Sequence, residues 1–140
     1  MTPKQRVFQL TLPSNPKYIG KVEGFLNKVN KAQPLDEIQF HKLMVAVTEA
    51  VNNAIIHANK SDPDKKVQLR CEIKPDGLDF TISDEGKGFE LENIKNPLND
   101  QNLLRESGRG IFLMRTLMDK VDYSITSQGV TVHLWLALNK

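Results

Sequence analysis

The sequence predicts an α/β two-layer sandwich, with a mixed but largely antiparallel sheet covered on one face by three helices. Three observations predict it. Five short segments alternate apolar and polar residues with strand periodicity, and others carry apolar stripes at helical spacing. When the strand residues are phased, Phe8, Leu10, Leu12, Val67, Leu69, Cys71, Ile73, Leu78, Phe80, Ile82, Val130, Val132, Leu134 and Leu136 share one face. Gln9, Thr11, Gln68, Arg70, Glu72, Asp79, Thr81, Ser83, Thr131 and His133 share the other. A sheet wetted on one side is usually largely antiparallel, and its apolar side needs a helical layer. Trp135 falls on the polar side, where an isolated aromatic is ordinary or marks a subunit contact.

In chain order, residues 6–12 alternate as a strand, and residues 14–31 carry the helical stripe Ile19, Val22, Phe25, Leu26 and Val29. Pro34 and Asp36 signal a second helix start, and that helix is expected to run from about 36 to about 58. Residues 62–66 form a turn, 67–73 a strand, 75–77 a hairpin turn and 78–83 a third strand. Residues 90–106 are polar and irregular, interrupted by Pro97, and read as a long loop. Residues 110–119 form a helix, and two strands around the turn at 127–129 close the chain. One domain over residues 1–140 is expected, long enough for a core without disulfides or structural metal.

The composition excludes several classes. Charged residues are 26% of the chain, the net charge is +2, and Lys and Arg are dispersed, so charge gives no reason to expect direct nucleic-acid binding. No segment has the length to span a bilayer, and no apolar run at the N-terminus resembles a signal peptide, so no membrane contact and a cytoplasmic location are expected. The single cysteine, Cys71, lies in an apolar alternation and reads as a buried thiol. On that expectation the sequon at Asn59 carries no meaning.

Three segments carry the chemistry. "VTEAVNNAIIHAN", residues 47–59, is an apolar helix that nevertheless contains Glu49, Asn52, Asn53 and His57. Glu49 and Asn53 are four apart and share a helical face, and His57 continues that line. Alone, the pair equally describes a buried polar network or a solvated stripe. "DEGKGF", Asp84 to Phe89, follows a strand directly; its glycines allow a tight turn and close approach of a ligand, or simply a strand exit. "SGRGIFLM", Ser107 to Met114, opens a helix with Gly-x-Gly, where free amides attract anions, or where a helix merely starts. It matches neither a P-loop nor a dinucleotide fingerprint.

Taken in this order and spacing, the three segments resemble the GHKL (Bergerat-fold) ATPases, with Glu49 and Asn53 similar to the N-box, and Asp84, Gly86 and Gly88 to the first glycine box. Gly108 and Gly110 are similar to the second. "EAVNNAIIHA", "DEGKGF" and "ESGRGIFLMRTLMD" most resemble the anti-sigma-factor serine/threonine kinases, which phosphorylate small antagonist proteins on serine. The resemblance covers essentially the whole chain, least distinctively at its first strand and helix. It implies a histidine-kinase-like ATPase domain that binds ATP and Mg²⁺ under a lid at about residues 90–107. Asn53 would ligate the metal through its side-chain oxygen, a hard ligand. Asp84 would accept the adenine amino hydrogen, Gly86 and Gly88 would shape the base pocket, and Phe89 would be a further nucleotide-binding residue. Ser107, Gly108, Arg109, Gly110 and Ile111 would border the phosphates, with Arg105 or Arg109 near the γ-phosphate. His57 would stand at the pocket edge or cap the helix end, and Glu49 would be the general base on a partner serine or on water.

The implied partners are ATP, a small antagonist protein bearing the acceptor serine, and a sigma factor or similar regulator held by sequestration. A homodimer is the expected oligomer. Two alternatives stay open: an ATP-gated protein-binding module without phosphotransfer, which has no need of Glu49, and a stand-alone histidine-kinase-type domain. No phosphoacceptor helix precedes the domain, so a complete sensor histidine kinase is not expected. Many family members carry threonine after the glycine of the last hairpin, where this chain has Val130, which leaves the polar contact to adenine open.

Overall fold

The computed structural model describes residues 6–85, 112–127 and 129–138, without the side chains of residues 125 and 126. Strand β1 (Val7–Pro13) is followed by a 3-10 turn (Pro16–Tyr18) and helix α1 (Lys21–Ala32). Helix α2 (Glu37–Asn52) passes without a break into a π-helical turn (Asn53–Ala58). Strands β2 (Lys66–Lys74) and β3 (Gly77–Ser83) come next, then a short helix α3 at 112–117, then β4 (Lys120–Thr126) and β5 (Gly129–Ala137).

The five strands lie in the order β1-β2-β3-β5-β4, and every described pairing is antiparallel. The registers place the apolar phase read from sequence on one side: Cys71 pairs with Phe80, Phe80 with Leu134, and Leu69 with Ile82. These residues pack with Leu26 and Val29 of α1, and with Leu43, Val47, Val51 and Ile55 of the second helical segment, all at most 1% exposed. The two layers are those the periodicity predicts. The other sheet face carries weak charge pairs, such as Arg70 with Glu72 at 3.3 Å and Lys74 with Asp79 at 3.8 Å, which add little stability. Trp135 lies half-buried on that face with its ring over Gly77, where a Cβ would collide with it. Within the chain the ring thus covers the β2–β3 hairpin.

Two boundaries differ from expectation. The helix expected over 14–31 begins only at Lys21. Asn15 takes an extended backbone and its side chain accepts from the Lys17 amide at 3.1 Å, and Pro16 opens a 3-10 turn instead. Ser14 is buried outside the helix. The second helix starts where Asp36 predicts, because its carboxylate accepts from the Gln39 amide at 2.7 Å. It reaches Ala58 only by widening to π geometry at Asn53, and the Asn59 amide bonds back five residues to the Ala54 carbonyl at 2.9 Å. Single π turns inside α-helices gather at functional sites. This one begins on the buried asparagine that the sequence singles out.

Cys71 is fully buried, as predicted. Burial, with the Asp79 carboxylate adding to it, pushes its thiol from an ordinary 9.0 up to about 12. A raised thiol pKa means that the fold keeps this contribution below about pH 9 and loses it as pH climbs through about 12. The unfolding free energy from urea titration is therefore expected to fall above pH 9, by up to about 1.4 kcal/mol per pH unit from this group. Cys71→Ala should flatten that slope, and an unchanged slope in the variant would remove Cys71 as its source.

Candidate nucleotide site

The central β3–β5 pairing brings the first candidate residues together. Ser83 pairs with Thr131, and their hydroxyls lie 3.1 Å apart, fixing the end of β3 to the start of β5. One residue on, the Asp84 amide donates to the Val130 carbonyl at 3.0 Å, and the Val130 amide donates to Asp84 Oδ1 at 3.1 Å. This reciprocal pair sets the direction of the carboxylate. It is possible because Gly129 has φ +155° and no Cβ; a Cβ there would run into the Asp84 backbone carbonyl.

A second set of bonds holds the same segment from the opposite side. Asn59, at the end of the π turn, is completely buried. Its Nδ2 donates to Ser14 Oγ at 2.8 Å and to the Lys66 carbonyl at 3.1 Å, and its Oδ1 accepts from the Glu85 amide at 3.0 Å. Ser14 Oγ donates onward to the Lys65 carbonyl at 2.7 Å. One carboxamide thus ties the helix end, the β1 exit, the β2 entry and the β3 exit at Asp84 and Glu85. A buried asparagine with its bonds made is a strong local constraint, since cutting them leaves unsatisfied polar groups. Its place in an apolar helix end was the available sequence signal, and the sequon reading passed over it.

Between the helical segment and β5 lies a narrow crevice of about 20 Å³, lined by Ala50, Asn53, Ala54, Ile82, Asp84, Met114, Tyr123, Val130 and Val132. Asn53 and Asp84, about thirty residues apart in sequence, therefore face one cavity. Asn53 is buried, and its carboxamide makes no hydrogen bond among the described residues. Glu49, one turn earlier on α2, is half-buried and makes no hydrogen bond or ion pair among them either; it does not line the crevice. His57 is half-buried beyond the lining, past the start of the π turn. Gly86, Gly88, Phe89, Arg105, Ser107, Gly108, Arg109, Gly110 and Ile111 lie outside the described residues, as does the segment expected to be a lid.

Tyr123 and Met114 were not singled out in sequence. The signal for Tyr123 was its phase in "VDYSIT": Val121 and Tyr123 both pack against the core from the inner side of β4. Its hydroxyl is buried with no hydrogen-bond partner among the described residues. Burial pushes the phenol up to about 12, against the nearby Arg115 charge, so it is neutral at physiological pH and retains its proton.

The family description "histidine kinase-like ATPase domain" matches residues 12–136. The chain belongs to that family. Among characterised relatives, this ATPase domain is 31% identical over 138 residues to the serine-protein kinase RsbW of Bacillus licheniformis, covering 94% of this chain and 86% of that protein. It is 32% identical over 137 residues to serine-protein kinase RsbW of Bacillus subtilis (strain 168), covering 94% and 85%. Among solved structures, the RsbU and RsbW domains of Rv1364c from Mycobacterium tuberculosis superpose with a TM-score of 0.72 at 16% identity, over 99% of this chain and 33% of that one. The histidine kinase domain of the blue-light activated kinase EL346 from Erythrobacter litoralis gives 0.60 at 19%, over 90% and 61%. Both share the fold of this ATPase domain.

The residues present fit ATP with a divalent cation. Magnesium typically takes few protein oxygens and is held largely by water and substrate phosphates. A buried carboxamide with no hydrogen bond among the described residues suits that role, and no cluster of three or more acidic, His or Cys ligands occurs among them. The crevice is narrower than a purine base, and the buried Met114 is one of its walls. No helix among the described residues is long and apolar enough to cross a membrane.

Proposed function

We propose that this chain is a Mg-ATP-dependent serine-protein kinase of the anti-sigma regulatory type, which transfers the γ-phosphate of ATP to a serine of a small antagonist protein. The observation that carries this reading is the convergence of Asn53 and Asp84 on one crevice in a histidine kinase-like ATPase domain whose relatives at about 31% identity are serine-protein kinases. Asp84, aimed by its bonds to Val130, accepts the amino hydrogen of adenine. Asn53 offers its side-chain oxygen to the metal. Bound magnesium supplies charge neutralisation at the phosphates. Gly108 and Gly110 offer backbone amides to the same phosphates, and Arg105 or Arg109 supplies a guanidinium where charge develops.

Glu49 takes the proton of the acceptor serine as its Oγ forms a bond to the γ-phosphorus. The bond from that phosphorus to the bridging oxygen breaks, and ADP leaves with the electron pair. The charge that builds up during transfer lies on phosphate oxygens, so positioning and electrostatics do most of the work.

Capture of partners on the purified chain with and without Mg-ATP, followed by phosphosite mass spectrometry, tests this. A small protein carrying acid-stable phosphoserine after incubation is the expected result, and a sigma factor is expected among the proteins retained. Acid-labile phosphohistidine on the partner would overturn the serine assignment. ATP-dependent capture without any phosphorylation would leave a nucleotide-gated binding module in its place.

A further inference from the structure

We infer that the Tyr123 hydroxyl is a ligand-contacting group of the crevice, hydrogen-bonding a ring nitrogen of the bound purine directly or through one water. The inference rests on the nucleotide-binding reading above and adds to it a residue on β4. Three observations carry it. The hydroxyl is buried and has no hydrogen-bond partner among the described residues, although a buried hydroxyl normally finds one. Tyr123 lines the same crevice as Asn53 and Asp84. Its neighbours in that wall, Val130 and Val132, are both buried valines, and Tyr123 is in register with Val132, so the phenol is the polar side-chain group on this flank.

The chemistry suits a purine. A phenol that keeps its proton is a donor, and the Asp84 carboxylate is an acceptor. Together they offer one donor and one acceptor to an aminopurine edge, which presents ring-nitrogen acceptors and an amino donor. The crevice volume of about 20 Å³ has room for a single bridging water. A hydroxyl present only to build the fold would not be left without a bond, because an unsatisfied buried hydroxyl costs stability that phenylalanine at the same place would not.

The two roles therefore predict opposite signs for Tyr123→Phe. Titration of ATP and ADP into wild type and Tyr123→Phe in the full chain, with thermal unfolding of both in the absence of nucleotide, separates them. The expected result is a loss of affinity of about 3- to 10-fold, as for one neutral hydrogen bond. The loss should be equal for ATP and ADP, because the contact is to the base. The nucleotide-free unfolding midpoint should stay level or rise. Equal affinity of the two proteins for both nucleotides overturns the inference, and so does a loss confined to ATP or a lowered midpoint without nucleotide. Failure of the wild-type chain to bind either nucleotide would instead overturn the nucleotide-binding reading on which it depends.

Discussion

Replacement of Glu49 by alanine is expected to lower transfer of phosphate to a serine-bearing partner by roughly 100- to 10,000-fold, the range a positioned general base contributes. Affinity for Mg-ATP should stay close to that of wild type, because Glu49 does not line the crevice that holds Asn53 and Asp84. Stability should also change little: Glu49 is half-buried and makes no hydrogen bond or ion pair among the described residues, so its removal leaves no described partner unsatisfied. Single-turnover transfer, nucleotide titration and urea unfolding of the same protein separate these effects. Full transfer activity in Glu49→Ala would take this residue out of the base role and return weight to a binding module that needs no carboxylate. Glu49→Gln, which keeps the size and removes the basicity, should behave like the alanine variant.

The second large effect is expected at Gly129. A Cβ there would meet the Asp84 carbonyl, and φ of +155° is strained for any L side chain. Gly129→Ala must therefore separate the start of β5 from the end of β3 and break the paired bonds between Asp84 and Val130. A destabilisation of at least about 2 kcal/mol is expected from the strain and the lost contacts. Because the Asp84 carboxylate loses its direction, nucleotide affinity should fall by roughly tenfold or more, the scale of a hydrogen bond to a charged group. Gly24→Ala is the control: a Cβ at Gly24 meets nothing within 4 Å, and alanine favours the interior of α1. That variant should be stabilised by roughly 0.5–1 kcal/mol and bind nucleotide normally. Wild-type stability and affinity in Gly129→Ala would show that the close approach of the two strands is dispensable.

Strand and helix periodicity made the two layers legible, since side-chain alternation depends only on local backbone geometry and on which face is wetted. Cys71, Phe80 and Leu134 fell on the buried face for that reason. Asn53 and Asp84 were legible as candidate site residues because polar groups in an apolar helix and at a strand exit conflict with local rules, and such conflicts tend to mark function. The late start of α1 was less legible, because the Ile19 to Val29 stripe runs through a 3-10 turn whose cap, Asn15, and Pro16 decide the geometry. The π turn from Asn53 was not legible at all: it depends on how the helix end meets β2 and the β3 exit at Asp84 and Glu85 through Asn59.

By itself, then, the sequence determined the sandwich, the sided sheet and the motifs that make the chain a histidine kinase-like ATPase domain, because periodicity and short-range spacing are properties of the chain alone. Only the tertiary structure decided that Asn53 and Asp84 face one crevice, that Gly129 must be bare for Asp84 to be aimed, and that Tyr123 closes the same wall with a hydroxyl unpaired among the described residues. Those facts follow from the order β1-β2-β3-β5-β4, which sets β3 beside β5 and β5 beside β4. Strand order is fixed by long-range pairing and burial, and no local pattern encodes which distant residues will share a cavity.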